Sequence, residues 1–146
     1  MKKIIVDNKR VGSWVCERTG GYYIDGVGIG LEENGELIAG VLYDMFNGKS
    51  IAMHVAAVGS RWMTKEYLRY CFEYPFKQLG VKKILGLVDT ENIDAQVFDE
   101  HLGFVVEATI KDAARRGDLI VYSMTKDQCR FLGEKYGKRR LAPASA

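Results

Sequence analysis

IAMHVAAVGSRWMTKEYLRYCFEYPFKQLGVKKILGLVDTENIDAQVFDEHLGF is the sequence of residues 51–104. Its apolar runs and breaks predict a strand at Ile51–Val58, a helix at Thr64–Gly80, a strand at Lys82–Val88 and a short helix at Ile93–Leu102. Two successive strand–helix units place neighbouring strands parallel, with a crevice at their carboxyl ends. Helix N-termini and loop amides at such a crevice suit a phosphate group.

The residues before this stretch predict an antiparallel meander. Residues 27–58 contain three β-rich runs separated by Glu33-Asn34-Gly35 and Asn47-Gly48. An Asn-Gly pair between β-rich runs is a strong hairpin signal. Ahead of the meander, an apolar run at Lys2–Val6 predicts a first strand, and apolar residues at helical spacing in Asn8–Arg18 predict a helix.

The residues after it predict a closing hairpin, Phe104–Ile110 and Leu119–Thr125, and then a helix over 126–136 that Thr125 would cap. The predicted fold class is therefore α+β, with helices on both sides of a mixed sheet: an antiparallel meander, a βαβα core and a closing β-hairpin. Within the central helix, Pro75 predicts a kink near residues 72–74, because proline cannot donate a helical hydrogen bond.

Length and charge narrow the class of protein. The 146 residues suit one domain with a sizeable core, which we assign to residues 1–137, and the small polar residues 138–146 suit a disordered tail. A net charge of +2 gives no reason to expect a nucleic acid or a membrane as partner. No apolar run approaches the ~20 residues of a membrane-spanning helix. The start MKKIIVDNKR lacks the apolar core of a signal peptide.

The cysteines indicate a reducing compartment. Cys16, Cys71 and Cys129 are odd in number and far apart, so we expect free thiols and a cytoplasmic protein. No Cys/His cluster has the spacing of metal ligands, so no metal is expected.

Two motifs carry a family resemblance. Asn92, Ala95 and Leu102-Gly103-Phe104 follow the pattern N-x-x-A-…-L-G-F, and RRGDLIVYSM (Arg115–Met124) resembles the closing segment G-x-x-D-x-x-x-Y-x-M, with Asp118, Tyr122 and Met124 in place. Over roughly residues 28–124 the chain thus resembles the GNAT superfamily of acetyl-CoA-dependent N-acetyltransferases, and within it the branch that includes ribosomal-protein acetyltransferases. Some phage-encoded proteins are similar too, which leaves a viral origin open. The chain departs from the usual pyrophosphate loop R/Q-x-x-G-x-G/A, because GSRWMT has only Gly59.

The resemblance implies where acetyl-CoA would bind. Its pantetheine arm would lie in a splay between the strands Ile51–Val58 and Ile84–Val88, and the amides of Ser60–Thr64 would face the pyrophosphate. Arg61 would add a charge-assisted bond or stay an exposed arginine, and Trp62 would pack in the core or cover the cofactor. The resemblance assigns cofactor binding to Val55, Ala57, Val58, Gly59, Ser60, Arg61, Trp62, Met63, Thr64 and Asn92.

Three residues are the catalytic candidates. His54 is the one titratable group within Ile51–Val58, and a histidine titrates near neutral pH, so it is either the general base or a structural histidine. Asn92 either hydrogen-bonds near the pantetheine arm, as the resemblance implies, or caps the following helix. Tyr122 is a candidate general acid or a packed strand aromatic.

Asp99 stands where many relatives carry the tyrosine that protonates the leaving thiolate. An ionised carboxylate beside a thiolate would be repulsive, so Asp99 either points to solvent or has a pKa raised by burial, and we expect the first because the helix is short and half exposed. Asp44 and His101 are weaker candidates for the base, and His101 is expected on the exposed helix surface.

The resemblance therefore implies an N-acetyltransferase that moves an acetyl group from acetyl-CoA to a primary amine on a small molecule or a protein. The acceptor carries no readable code in the sequence, and a homodimer is left open. The first alternative is a CoA-binding protein with little catalysis that acts through protein contacts. A structural phage component is the second.

Overall fold

The structure is a computed structural model that describes residues 1–132. Its centre is one seven-stranded sheet in the order β1-β2-β3-β4-β5-β7-β6. Every neighbouring pair is antiparallel except β4 and β5, which are parallel. The strands are β1 (Lys2–Val6), β2 (Val27–Glu33), β3 (Glu36–Asp44), β4 (Ser50–Ala57), β5 (Lys83–Asp89), β6 (Val105–Ile110) and β7 (Leu119–Thr125). The helices are α1 (Asn8–Thr19), α2 (Lys65–Glu73) and α3 (Ile93–Leu102).

Helices cover both faces of the sheet, which confirms the predicted α+β class. On one face α1 packs Val11 and Val15 against Leu42 of β3. On the other face the larger core surrounds Tyr67 and Phe72 of α2 and Leu102 of α3. Alternate side chains of one strand point to opposite faces, so β3 and β4 contribute to both clusters.

The hairpin turns form where the sequence predicts them. Asn34 and Gly35 have φ of 56° and 84°, the left-handed pair that a tight hairpin requires. At the second turn Asn47 Oδ1 accepts hydrogen bonds of 2.9 Å from the amides of both Lys49 and Ser50. These turns fix the register in which Leu42 lies opposite His54.

The central helix is shorter than predicted, and its regular part ends where Pro75 predicts an interruption. A regular α2 ends at Glu73, and a π-helical segment, Tyr74–Gln78, replaces the predicted continuation. The amide of Leu79 donates to Tyr74 O five residues back, and the segment contains Pro75, which has no amide to donate. The chain leaves the segment through Gly80 at φ 72°.

Two buried tyrosines tie α2 to the meander. Tyr67 Oη donates a hydrogen bond of 2.7 Å to Ile29 O, and Tyr43 Oη donates one of 2.6 Å to Cys71 O. Both side chains are almost fully buried. Their hydrogen bonds attach β2 and β3 to α2, the helix that follows β4.

The last described residues differ from the prediction. Thr125 does cap a helix, through a capping box with Gln128, but this is a single 3₁₀ turn, Lys126–Gln128. Cys129 is extended at φ −84° and ψ 113°, so the predicted helix over 126–136 does not continue. Its remainder and the predicted tail at 138–146 lie outside the described residues. No helix within residues 1–132 has the length and apolar character to cross a membrane.

Candidate functional site

The two parallel strands separate after three residue pairs. Hydrogen-bonded pairing joins Ser50–Ala52 of β4 to Lys83–Leu85 of β5, and both strands then continue without each other. The backbone edge of β4 beyond Ala52 therefore has no strand partner on its β5 side. A cleft of about 1140 Å³ fills the gap.

This cleft opens toward both faces of the sheet. His54 lies opposite Leu42, and directly paired residues point to the same face, so His54 is on the side of α1. Val55 points the other way and packs against the core that α2 and α3 cover. The two sides of the cleft can thus carry different chemistry.

His54 is paired with Asp44. Its Nε2 lies 2.8 Å from Asp44 Oδ1, and both side chains are 28% exposed. A carboxylate in this position orients the imidazole ring and fixes which nitrogen carries the proton. The sequence analysis treated Asp44 as a weaker alternative base; the structure makes it the partner of His54. Counting back from the Asn47-Gly48 turn puts the two on adjacent strands and one face, so the signal was present.

The expectation that Asp99 points to solvent is wrong. Its side chain lines the cleft and is partly buried, and burial, followed by the charge of Glu100, raises the pKa of Asp99 to about 7. Gly86 of β5 makes room for it, since a Cβ there would lie 2.9 Å from Asp99 Oδ2. A carboxyl with this pKa holds a proton at neutral pH about half of the time.

Tyr122 lies in the core rather than on the cleft wall. It is 1% exposed, and its hydroxyl donates a hydrogen bond of 2.9 Å to Glu100 Oε2. Burial and this bond to a carboxylate raise the pKa of Tyr122 to about 12. The structure gives Asp99, and not Tyr122, a place beside the cleft.

Half of the predicted cofactor residues line the cleft. The lining members are Val55, Ala57, Gly59, Trp62 and Asn92. The other five predicted residues do not line the cleft: Val58, Ser60, Arg61, Met63 and Thr64. Trp62 is buried and packs against Tyr67 and Phe98, which gives it the packing role.

The loop between β4 and α2 satisfies part of its own backbone. The amides of Met63 and Thr64 donate to Ser60 O and Trp62 O, and the Thr64 hydroxyl caps α2 by accepting from the amide of Tyr67. Arg61 forms an ion pair with Glu33 at the sheet end. Within residues 1–132, the loop amides of Gly59, Ser60, Arg61 and Trp62 have no hydrogen-bond acceptor, so they are available to a ligand.

Asn92 caps α3 and lies on the cleft wall. Its Oδ1 accepts a hydrogen bond of 3.1 Å from the amide of Ala95, which caps α3, and the residue also lines the cleft. The side-chain NH₂ group is left to donate toward a ligand. His101, in contrast, is exposed on α3, as predicted.

Three arginines on the cleft wall were missed. Arg18 from α1, and Arg115 and Arg116 from the β6–β7 loop, all line it. The sequence shows the loop as basic and exposed, but its contact with the end of α1 depends on the packed fold. Among residues 1–132 no group of three or more His, Cys, Asp or Glu side chains is arranged to hold a metal ion.

No protein-family model matches this sequence, and a comparison with curated proteins finds no match either. Solved structures do match. A chimera of the Vibrio cholerae spermidine N-acetyltransferase SpeG and hSSAT superposes with a TM-score of 0.70 at 15% identity, covering 90% of this chain and 99% of the other. The chain has the fold of the GNAT acetyltransferases. The fold predicted from the resemblance is therefore confirmed.

Two further structures show the same fold. The V. cholerae spermidine N-acetyltransferase in complex with CoA and spermine has a TM-score of 0.60 at 20% identity, covering 73% of this chain and 68% of that one. The ribosomal-protein-S5-alanine acetyltransferase of Vibrio fischeri has a TM-score of 0.58 at 15% identity, with coverage of 72% and 64%. The match therefore spans less than two thirds of the latter enzyme.

Proposed function

We propose that this chain is an N-acetyltransferase that transfers an acetyl group from acetyl-CoA to a primary amine. The observation that carries the proposal is the cleft between the separated strands β4 and β5, with the His54–Asp44 pair on one side and the Asp99 carboxyl lining the same opening. The fold match supports the proposal, because solved structures that share the fold are acetyltransferases and one of them contains CoA.

The cleft fits the chemistry of acetyl-CoA. A pantetheine arm has amide groups, and the unpaired edge of β4 offers backbone donors and acceptors in the pattern of a missing strand. The pyrophosphate would lie near Gly59, where loop amides and the N-terminus of α2 converge. Asn92 would donate to the arm from the opposite wall. Bound in this way, acetyl-CoA supplies the acetyl group as a thioester.

On the α1 side, His54 would accept a proton from the incoming ammonium, directly or through a water molecule. Asp44 would stabilise the imidazolium that results and keep the ring in place. The free amine nitrogen then bonds to the acetyl carbon, the carbonyl electron pair moves to oxygen, and the nitrogen, now cationic, releases its second proton to solvent.

In the step that follows, the carbon–sulfur bond breaks and its electron pair goes to sulfur. Asp99 would give its proton to that sulfur, which leaves CoA as the thiol and Asp99 as a carboxylate. Proton exchange with solvent returns both groups to their starting forms.

The direct test is thiol release from acetyl-CoA in the presence of a panel of primary amines, with mass spectrometry of the acetylated product. We expect His54→Gln to lower turnover most near neutral pH, and less at high pH where more of the amine is already deprotonated, with CoA affinity unchanged. CoA binding without thiol release for any amine would support the alternative, a CoA-binding protein without catalysis, which the fold match does not favour.

The acceptor and the branch are finer questions. The spermidine and ribosomal-protein acetyltransferases share this fold, so the fold does not select between them. The branch that includes ribosomal-protein acetyltransferases stays a prediction based on the closing segment Arg115–Met124.

A further inference from the structure

Three arginines converge on the cleft from two distant segments. Arg18 is in the last turn of α1, and Arg115 and Arg116 are in the loop between β6 and β7. Arg115 Nη1 donates a hydrogen bond of 2.7 Å to Gly20 O, which joins that loop to the end of α1. The Arg18 guanidinium lies 3.9 Å from the centroid of the Trp14 ring. These contacts keep the guanidinium groups of Arg115 and Arg18 at the cleft.

Carboxylates do little to neutralise these arginines. Arg18 has one distant partner, Glu17 at 3.6 Å, whose side chain is 77% exposed. Within residues 1–132, neither Arg115 nor Arg116 forms an ion pair. Several unneutralised cations on one wall of a cleft raise the local concentration of anions and guide them inward.

Carboxylates also line the cleft, next to the loop that carries Arg115 and Arg116: the amide of Asp118 donates to Thr90 Oγ1, and a Cβ at Gly117 would lie 3.6 Å from Glu91 Oε2. Asp89 ends β5, and Glu91 and Asp94 lie before and within the first turn of α3, where all three line the cleft. An amine enters as an ammonium ion and is attracted to these carboxylates. A ligand that carries both an ammonium and an anionic group can pair with the carboxylates and with the arginines of this lining.

Arg18 and Arg115 are on the side of the cleft where the proton acceptor lies. Arg18 belongs to α1, which covers the sheet face that His54 shares, and Arg115 binds the end of that helix. The loop at Gly59 is on the other side, because Trp62 in it packs against α2 and α3. The phosphates of CoA therefore have loop amides on one side, and the arginines face whatever approaches from the other.

We propose that Arg116, together with Arg115 and Arg18, binds an anionic group of the amine acceptor, a carboxylate or a phosphate. The guanidinium fork pairs with either group through two parallel hydrogen bonds. The inference rests on the proposed function and narrows its substrate class. A polyamine such as spermidine could pair with the carboxylates of the lining but has no anionic group for the arginines.

The test measures acceptor binding and turnover separately. Calorimetry on the CoA-bound protein gives the affinity for aminoethyl and aminohexyl compounds that end in a hydroxyl, a carboxylate or a phosphate, and for spermidine. Thiol release from acetyl-CoA gives KM for the same compounds. The variants are Arg116→Gln, Arg116→Lys and, as control, Lys126→Gln, which removes one exposed charge outside the cleft.

We expect an anionic acceptor of at least one length to bind about ten-fold more tightly than the neutral alcohol, since hydrogen bonds to charged groups are worth about 1.5–3 kcal/mol. Arg116→Gln should remove most of that preference, Arg116→Lys should keep part of it, and Lys126→Gln should keep all of it. The terminus that binds more tightly identifies the group as carboxylate or phosphate.

Three results would overturn the inference: no measurable binding of any anionic amine to the wild type, equal affinity for neutral and anionic amines, or tighter binding of spermidine. So would a loss of CoA affinity in Arg116→Gln with the affinity for dephospho-CoA unchanged, because the arginine would then hold the 3′-phosphate of CoA. Anion-selective binding without thiol release would remove the proposed function and leave this inference standing. Thiol release without anion preference would do the reverse.

Discussion

Asp99 lies on α3 against Gly86 of β5, and the pKa of this partly buried carboxyl is raised from 3.8 to about 7. If it is the acid that protonates the leaving sulfur, kcat/KM of the wild type should fall above about pH 7, as Asp99 ionises. Asp99→Asn should lower kcat/KM by roughly 10²-fold at pH 6 and by less at pH 9. A fully active variant at pH 6 would show that the thiolate leaves without a proton.

The same residue gives a stability prediction with a definite sign. The native state binds the Asp99 proton more tightly than the unfolded state, so ionisation between about pH 4 and 7 costs folding free energy. The wild type should therefore lose stability relative to Asp99→Asn as pH rises through that window, and the difference should be constant above it. Urea unfolding of both proteins at pH 5 and pH 8 measures the change, and a pH-independent difference would contradict the pKa.

At the scale of elements, the turn from β4 into α2 begins at Gly59, which has φ of 68° and open space around it. Gly59→Ala should cost about 1 kcal/mol of stability through backbone strain and should weaken CoA binding several-fold by moving the loop amides. Gly48→Ala is the matched control, because Gly48 has φ of 92°, open space and a place at the other end of β4. Urea unfolding should find the same loss of stability in both variants, and calorimetric titration with CoA should find unchanged affinity in the control alone. Equal affinities in both variants would place the pyrophosphate elsewhere.

The buried link between α2 and β2 belongs to the same scale. Tyr67→Phe removes the donor to Ile29 O in a site without solvent access and should cost about 1–2 kcal/mol of unfolding free energy. Tyr70→Phe, on the same helix but 45% exposed, should change stability by less than about 0.5 kcal/mol. Urea midpoints of the two variants test this, and equal midpoints would mean that Ile29 O is satisfied without Tyr67.

The element scale also shows where sequence reasoning was sufficient. The hairpin turns, the succession of strands and helices along the chain and the bounds of Ile93–Leu102 follow from local chemistry, and all were predicted; the place of β7 between β5 and β6 was not. The orientation of Asp99 was readable too, because Ala95, Phe98 and Leu102 are the inward positions of α3 and Asp99 lies at i+4 from Ala95. Its charge, rather than its spacing, misdirected the expectation. When a single carboxyl lies in the apolar stripe of a helix at the edge of a cleft, a shifted pKa explains it better than exposure to solvent does.

For the whole molecule, long-range contacts were the part that the sequence did not predict. The contact between Arg115 and Gly20 joins residues 95 positions apart, and no local pattern encodes it. The early separation of β4 from β5 came from the family resemblance and not from periodicity, because the pattern of apolar residues does not show where pairing between two strands ends. Residue type alone did not identify the side chains that reach the cleft either. Tyr122 is an example, since burial decides whether a hydroxyl reaches a ligand.

The separated strands also divide the sheet into two halves, β1–β4 and β5–β7. Within the sheet, three residue pairs of β4 and β5 join these halves. A ligand that fills the gap adds hydrogen bonds to both edges, and at a concentration 100 times its Kd it stabilises the fold by about 2.7 kcal/mol. We therefore expect saturating CoA to slow hydrogen exchange at the amides of Met53–Ala57 that point into the cleft, and to leave the amides of β1 at the far edge unchanged. Equal protection throughout the sheet would indicate global stabilisation alone, and no protection at β4 would place CoA outside the cleft.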